Sequence, residues 1–195
     1  GLGTSRGHLR AFTRELGRTL GVERVTLVNS GSSANLAAAL ALAEECGPSP
    51  HAITAGFTFP TTLAALLQAG FTVTVVDTTR GTFTIDPTAV RRALRPDTRL
   101  VCVTHFLGFP ADLAAVREAA GPDVLVLQDA CETMSLPLPD RGDLTTYSFY
   151  HPHHLSAYGG GAVVSVDEAR HRRLESIVHW GRACTCHADG LPCTA

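Results

Sequence analysis

The feature that most constrains this chain is the alternation of short apolar runs with stretches apolar at helical spacing, sustained over most of its length. Seven runs read as strands: RVTLVNSG, HAIT, FTVTVVD, RLVCVTHF, DVLVLQD, LTTYSFY and GGAVVSV. Between the first five lie SSANLAAALALAEEC, PTTLAALLQAG, DPTAVRRAL and PADLAAVREAA, several of them opened by a cap residue or an early proline. An amphipathic stretch, LRAFTRELGRTLG, precedes the first strand, and VDEARHRRLESIVHW follows the last. Strands joined by helical crossovers pair in parallel, and a parallel sheet must be covered on both faces. The pattern predicts one three-layer α/β/α domain around a mainly parallel, seven-stranded sheet, with no linker or internal repeat dividing the 195 residues.

Composition then excludes function classes. A net charge of -2 with scattered arginines lacks the clustered positive charge that a nucleic-acid surface needs. The apolar run ANLAAALALA is well short of the roughly 20 residues that cross a bilayer, and no charged segment leads into an apolar one at the start. The reading is a cytoplasmic protein. The chain opens on GLGTSRG, its one methionine is Met134, and it stops just after a cysteine cluster, so it is expected to be a fragment of a longer protein. All 16 basic residues are arginine, and lysine is absent.

In a sheet of this kind ligands bind beyond the carboxyl ends of the strands. The candidate polar groups collect there. NSGSSAN follows the first strand and opens a helix, offering backbone N–H groups and a positive dipole end to a phosphate. Asp129 ends the fifth strand, and Ser148 followed by His151, His153 and His154 closes the sixth. Each of these alone has a plain structural reading as a cap, an ion pair or a satisfied histidine, and Phe59 would by default be core. Cys46 and Cys102 read as core thiols. Cys131, Cys184, Cys186 and Cys193 leave open an iron–sulfur cluster, a zinc site with His187, or free thiols.

Taken in order, LVNSGSSAN, ITAGFTFPTT, VVDTTRGTFTIDP, VTHFLGFPADL, LQDACETM, DLTTYSFY and GGGAVV resemble the DegT-type sugar aminotransferase and dehydratase family. That family lies within the fold type I pyridoxal phosphate enzymes, and the resemblance covers essentially the whole chain. It implies that Ser32, Ser33 and Ser148 hold the phosphate of pyridoxal or pyridoxamine 5'-phosphate. Phe59 would stack on the pyridine ring, and Asp129 would pair with the ring nitrogen and keep it protonated. Glu132 stands where many relatives carry a glutamine near the ring hydroxyl. The resemblance also implies a homodimer, and it makes residues 1–195 the cofactor-binding large domain, lacking the smaller C-terminal domain that completes the substrate pocket.

In the aminotransferases of that family, the residue at position 153 is the lysine that anchors the cofactor covalently. Here it is His153, and an imidazole forms no stable Schiff base. One branch of the family carries histidine there: the 3-dehydratases of nucleotide-linked 4-keto-6-deoxyhexoses, which hold pyridoxamine phosphate and use the histidine as a base. A subset binds a [2Fe-2S] cluster through one cysteine after the aspartate and three near a WGR-x-C-x-C segment, a pattern similar to Cys131 with Cys184, Cys186 and Cys193. A nicotinamide-dependent iron–sulfur reductase supplies its electrons. The expectation is a [2Fe-2S], pyridoxamine-phosphate-dependent C3-dehydratase in deoxysugar biosynthesis, for lipopolysaccharide or a glycosylated natural product, with His153 as its catalytic base. Two alternatives stand beside it: a cluster-free 3-dehydratase of the same family, and a non-catalytic cofactor-binding relative.

Overall fold

The structure is a computed structural model that describes residues 2–134 and 140–182, with side chains from residue 7 onward. Helix α1 (Leu2–Leu20) leads into a series of strands and helices: β1 (Arg24–Val28), α2 (Gly31–Cys46), β2 (His51–Ala55), α3 (Pro60–Gln68), β3 (Thr72–Val76) and α4 (Pro87–Ala93). It continues through β4 (Thr98–Thr104), α5 (Leu113–Ala120), β5 (Leu125–Asp129), β6 (Leu144–Ser148), β7 (Gly161–Ser165) and α6 (Glu168–Val178). All seven expected strands form one sheet, in the order β1-β7-β6-β5-β4-β2-β3. Strand β7 runs antiparallel to both neighbours, and the other pairings are parallel.

The sheet is buried on both faces, which is why its strands read as unbroken apolar runs. On one side α2, α3 and α6 pack through Leu42, Leu66 and Leu174 onto Leu100, Leu127 and Val163. On the other, α4 and α5 cover Ile53, Val101 and Val126, and α1 covers Val25, Tyr147 and Val164. Helix α2 is apolar on nearly every side and buries Ala34, Ala37, Ala38, Ala39 and Ala41, so small side chains let its axis lie close to the sheet. Edge strand β3 leaves Thr72 and Val75 exposed and its other residues only partly buried, as the incompletely covered edge of a sheet does.

Side-chain caps set where the helices begin. Ser30 accepts from the backbone N–H of Ser33, and Asp86, Asp112 and Asp167 do the same for α4, α5 and α6. Because Asp112 is a cap, α5 starts at Leu113, and Pro110 lies outside the helix that PADLAAVREAA predicts to begin there. Helix α6 is clamped by ions: Arg170 reaches Asp143 at 2.8 Å and Glu45 at 3.1 Å, and Arg173 reaches Glu45 at 2.7 Å. Of the two cysteines read as core, Cys102 is fully buried, and burial raises its thiol far above the ordinary range. Cys46 is half-buried, donates to the Leu42 carbonyl, and is pushed up to about 11 by burial and then by Glu45. The raised values keep both groups as the thiol, the poorly nucleophilic form, near neutral pH.

Three histidines are held in the neutral form. Burial lowers His51, His171 and, most strongly, His105, which is pushed down to about 4 against the opposing pull of the Asp129 carboxylate. An unfolded histidine takes its proton near pH 6.5, so between about 6.5 and 4 the unfolded chain binds more protons and stability must rise with pH. That stability is fully present above the unfolded value and is lost as pH falls towards the folded one. Urea titrations are expected to show about 2 to 3 kcal/mol less stability at pH 4.5 than at pH 7 from His105 alone, since each tenfold change in proton affinity is worth roughly 1.4 kcal/mol. His105→Gln should flatten that slope.

Candidate active site

The carboxyl ends of the parallel strands surround a cavity of about 470 Å³, within the size range of small-molecule sites. It lies between the start of α2, the turn after β5 and the loop after β6. Of the residues singled out from the sequence, Ser32, Phe59, Asp129, Cys131, Glu132, Ser148 and His153 all line it. Ser33 does not; its hydroxyl accepts from Ser30 at 3.0 Å, and its N–H is used by the cap. Cys184, Cys186 and Cys193 lie outside the described residues.

The start of α2 is brought into the cavity by glycines. A Cβ on Gly31 would lie 2.6 Å from the Ser148 Cβ, and one on Gly161 would lie 2.5 Å from the Ser30 carbonyl oxygen. Neither position has room for a side chain, so the backbone of the α2 N-terminus packs directly against the ends of β6 and β7. The preceding Gly160 holds φ +104 and pairs with Ser30, which explains two members of the glycine run. With its N–H groups at the cavity wall, the first turn of a 16-residue helix presents partial positive charge there. Beside it Ser32 and Thr61 share a hydrogen bond of 2.8 Å.

Asp129 is 3% exposed at the end of β5. Its Oδ2 accepts from Asn35 at 2.9 Å and from the Thr62 hydroxyl at 2.8 Å, while Oδ1 accepts from the Cys131 N–H at 3.2 Å. Thr146 in turn donates to the Asn35 amide oxygen at 2.6 Å, which fixes the amide so that its nitrogen faces the carboxylate. All these donors are neutral. A buried carboxylate held only by neutral donors still favours a cationic partner, because hydrogen bonds alone leave its charge uncompensated. No arginine is among the described residues lining the cavity.

The remaining walls are aromatic and imidazole. Phe59, read as core by default, is 61% exposed: it caps α3 just before Pro60 and lines the cavity instead of packing inside. His153 sits in the turn after β6, where its backbone N–H donates to the Tyr150 carbonyl at 2.9 Å. Its ring stands edge-on to Tyr150, with centroids 6.0 Å apart. The Nδ1 atom of His153 is buried and has no hydrogen-bond partner among the described residues. His151 and His154 are exposed.

Cys131 is partly buried at the cavity wall, and burial followed by the Asp129 charge raises its thiol well above the ordinary value. The Glu132 carboxylate accepts the backbone N–H of Leu107, tying the β4–α5 loop to the turn after β5. Asn35, Thr62 and Thr146 were missed in the sequence. Asn35 was the detectable one, a polar residue within the alanine stripe of α2.

Residues 2–188 match the DegT/DnrJ/EryC1/StrS aminotransferase family. The chain is 34% identical to the dTDP-4-dehydro-2,6-dideoxy-D-glucose 3-dehydratase of Saccharopolyspora spinosa, covering 92% of this chain and 42% of that protein. Among solved structures, GDP-4-keto-6-deoxymannose-3-dehydratase with a trapped PLP-glutamate geminal diamine aligns with a TM-score of 0.82 at 26% identity, over 88% of this chain and 47% of that one. NtdA from Bacillus subtilis with bound PMP aligns with a TM-score of 0.83 at 28% identity, over 88% and 40%. The chain therefore spans less than half the length of these relatives. Among the described residues no helix is long and apolar enough to cross a membrane. With a match over nearly all of its residues, and a fold shared with sugar dehydratase structures, this chain belongs to the DegT/DnrJ/EryC1/StrS aminotransferase family.

Proposed function

We propose that residues 1–195 form the cofactor-binding large domain of a pyridoxamine-phosphate-dependent C3-dehydratase acting on a nucleotide-linked 4-keto-6-deoxyhexose in deoxysugar biosynthesis. In this reading a smaller C-terminal domain completes the substrate pocket, and the protein works as a cytoplasmic homodimer. One observation carries it: a histidine with a buried nitrogen that has no partner among the described residues lines the cavity beside a buried carboxylate, in a chain without lysine.

The residues fit the cofactor. The α2 amides, with the hydroxyls of Ser32 and Ser148, would bind its phosphate; Ser33 supports them through the Ser30 cap. Phe59 offers an aromatic face to the ring, and Asp129 would hold a proton on the ring nitrogen, gaining the cation its neutral donors do not supply. Glu132, already engaged by Leu107, would stand near the ring hydroxyl. When bound, pyridoxamine phosphate supplies an amine that condenses with a ketone and a pyridinium ring that accepts electrons. His153 then moves the proton at the cofactor C4′ carbon, for which a neutral imidazole is suited.

The finer part of the proposal is a [2Fe-2S] cluster held by Cys131, Cys184, Cys186 and Cys193, reduced by a nicotinamide-dependent iron–sulfur reductase. Of these ligands Cys131 is the described one, and it lines the cavity. A cluster there would supply electrons one at a time.

Full-length protein prepared anaerobically tests both levels. The expected result is one pyridoxamine phosphate per chain and a visible iron–sulfur spectrum that dithionite bleaches and Cys131→Ser weakens or abolishes. Cofactor without that spectrum would favour the cluster-free dehydratase. Failure to bind pyridoxamine phosphate would overturn the proposal.

A further inference from the structure

His105 lies at the end of β4, 1% exposed, where the chain leaves the sheet to form the loop leading to α5. The loop is a single 3-10 turn, Phe106–Gly108, in which Leu107 holds φ +51, a left-handed conformation that costs a side-chain-bearing residue energy unless its surroundings fix it. Three contacts fix it. The His105 N–H donates to the Asp129 carbonyl at 3.0 Å, the Leu107 N–H donates to the Glu132 carboxylate, and the Ala111 N–H donates to His105 Nδ1 at 2.8 Å. The imidazole is thus bonded across its own loop, closing it from the inside.

On its other edge the ring meets Gln128. The Gln128 amide oxygen accepts from Gly142 at 2.9 Å and Thr145 at 2.8 Å, which turns its nitrogen to His105 Nε2 at 2.6 Å. Two N–H groups therefore face a ring that has one lone pair when neutral and none when protonated. The loop so held carries Phe106, which lines the cavity and meets Phe57 edge-to-face at 5.4 Å, while Leu107 and Phe109 stay exposed.

We infer that His105 is a positioning residue: by accepting the Ala111 N–H inside the loop it holds the Phe106 wall of the cavity in place for the bound cofactor and substrate. The hold on the loop follows from these contacts alone, whereas the effect on the cofactor rests on the function proposed above.

Hydrogen exchange on the cofactor-free, full-length protein separates the two. Asparagine can place its amide oxygen where Nδ1 stands, glutamine can reach only the Nε2 position, and phenylalanine keeps a flat ring and offers neither. His105→Phe is expected to speed exchange of the Leu107 and Ala111 amides about tenfold, the effect of one lost hydrogen bond. His105→Asn should restore protection, and His105→Gln should not. If the phenylalanine variant fails to fold, the Asn and Gln pair reads the same contact. Equal protection in the Asn and Gln variants would overturn the inference. In the second arm, pyridoxamine phosphate should bind several-fold more weakly to the loosened variants and normally to His105→Asn. Unchanged affinity with a loosened loop would overturn the positioning role. Failure of the unmodified protein to bind pyridoxamine phosphate would overturn the positioning role together with the proposed function, while the exchange data would still judge the loop.

Discussion

Replacing His153 with asparagine is expected to lower the rate of C3 deoxygenation by about 10²- to 10⁴-fold, the usual contribution of a general base. The side chain is placed for this loss to appear in kcat. Its Nδ1 makes no hydrogen bond among the described residues, so the substitution breaks none at that atom, and the shift in folding stability should stay within about 1 kcal/mol. The groups proposed to bind the cofactor sit on α2, α3 and the ends of β5 and β6, so affinity for pyridoxamine phosphate should change only a few-fold. His153→Lys is the complementary test. It would restore a primary amine at the cavity, and borohydride treatment with pyridoxal phosphate should then fix the cofactor to residue 153 as a mass increase. Deoxygenation that survived in His153→Asn, which carries no basic group, would show that position 153 does not supply the base.

The second large effect belongs to Asp129. Asp129→Asn keeps the shape and an oxygen able to accept from Asn35 and Thr62, gives up the acceptor of the Cys131 N–H, and removes a buried negative charge whose donors among the described residues are all neutral. Burying a charge costs stability, so cofactor-free protein should lose little and could even gain. Binding should suffer instead. Removing one partner of a buried charge pair costs about 2 to 5 kcal/mol, so pyridoxamine phosphate affinity should fall at least about thirtyfold. Calorimetry with and without the cofactor reads both signs in one experiment. Equal affinity in the variant would mean that Asp129 does not meet a cationic ring nitrogen.

The layers of this fold were legible because crossover topology leaves a plain pattern: apolar runs too short for helices, separated by helical stripes with their own caps. Strand β7 was visible as a strand, but its reversed direction was not, since one apolar run reads alike in either sense. At the site, Asp129 and Ser148 could be named because each closes a strand, and His153, in the turn after β6, because the family resemblance puts a lysine at its position. What holds them was hidden by sequence distance. Asn35 and Asp129 are 94 positions apart, and Thr146 and Asn35 are 111 apart, so no local pattern joins them. The contact between Gly161 and Ser30 is hidden for the same reason, and without it the glycine run reads only as a turn. Phe59 reads as core from its apolarity alone, since nothing local says that the residue before Pro60 faces a cavity; the family resemblance is what set it beside the cofactor ring. His105 reads as one polar residue at the end of an apolar run, and only the folded loop brings the Ala111 amide to its ring.

At the heart of the proposed mechanism an imidazole, at the position where the family resemblance implies an anchoring lysine, moves the proton at the cofactor C4′ carbon. Proton NMR of pyridoxamine phosphate bound to the full-length protein in deuterated water, with the 4-keto sugar present, observes that atom. The mechanism requires one of the two C4′ hydrogens to exchange with solvent in the unmodified protein and to stop exchanging in His153→Asn, with the cofactor still bound. Exchange that continues at the same rate without the imidazole would contradict it.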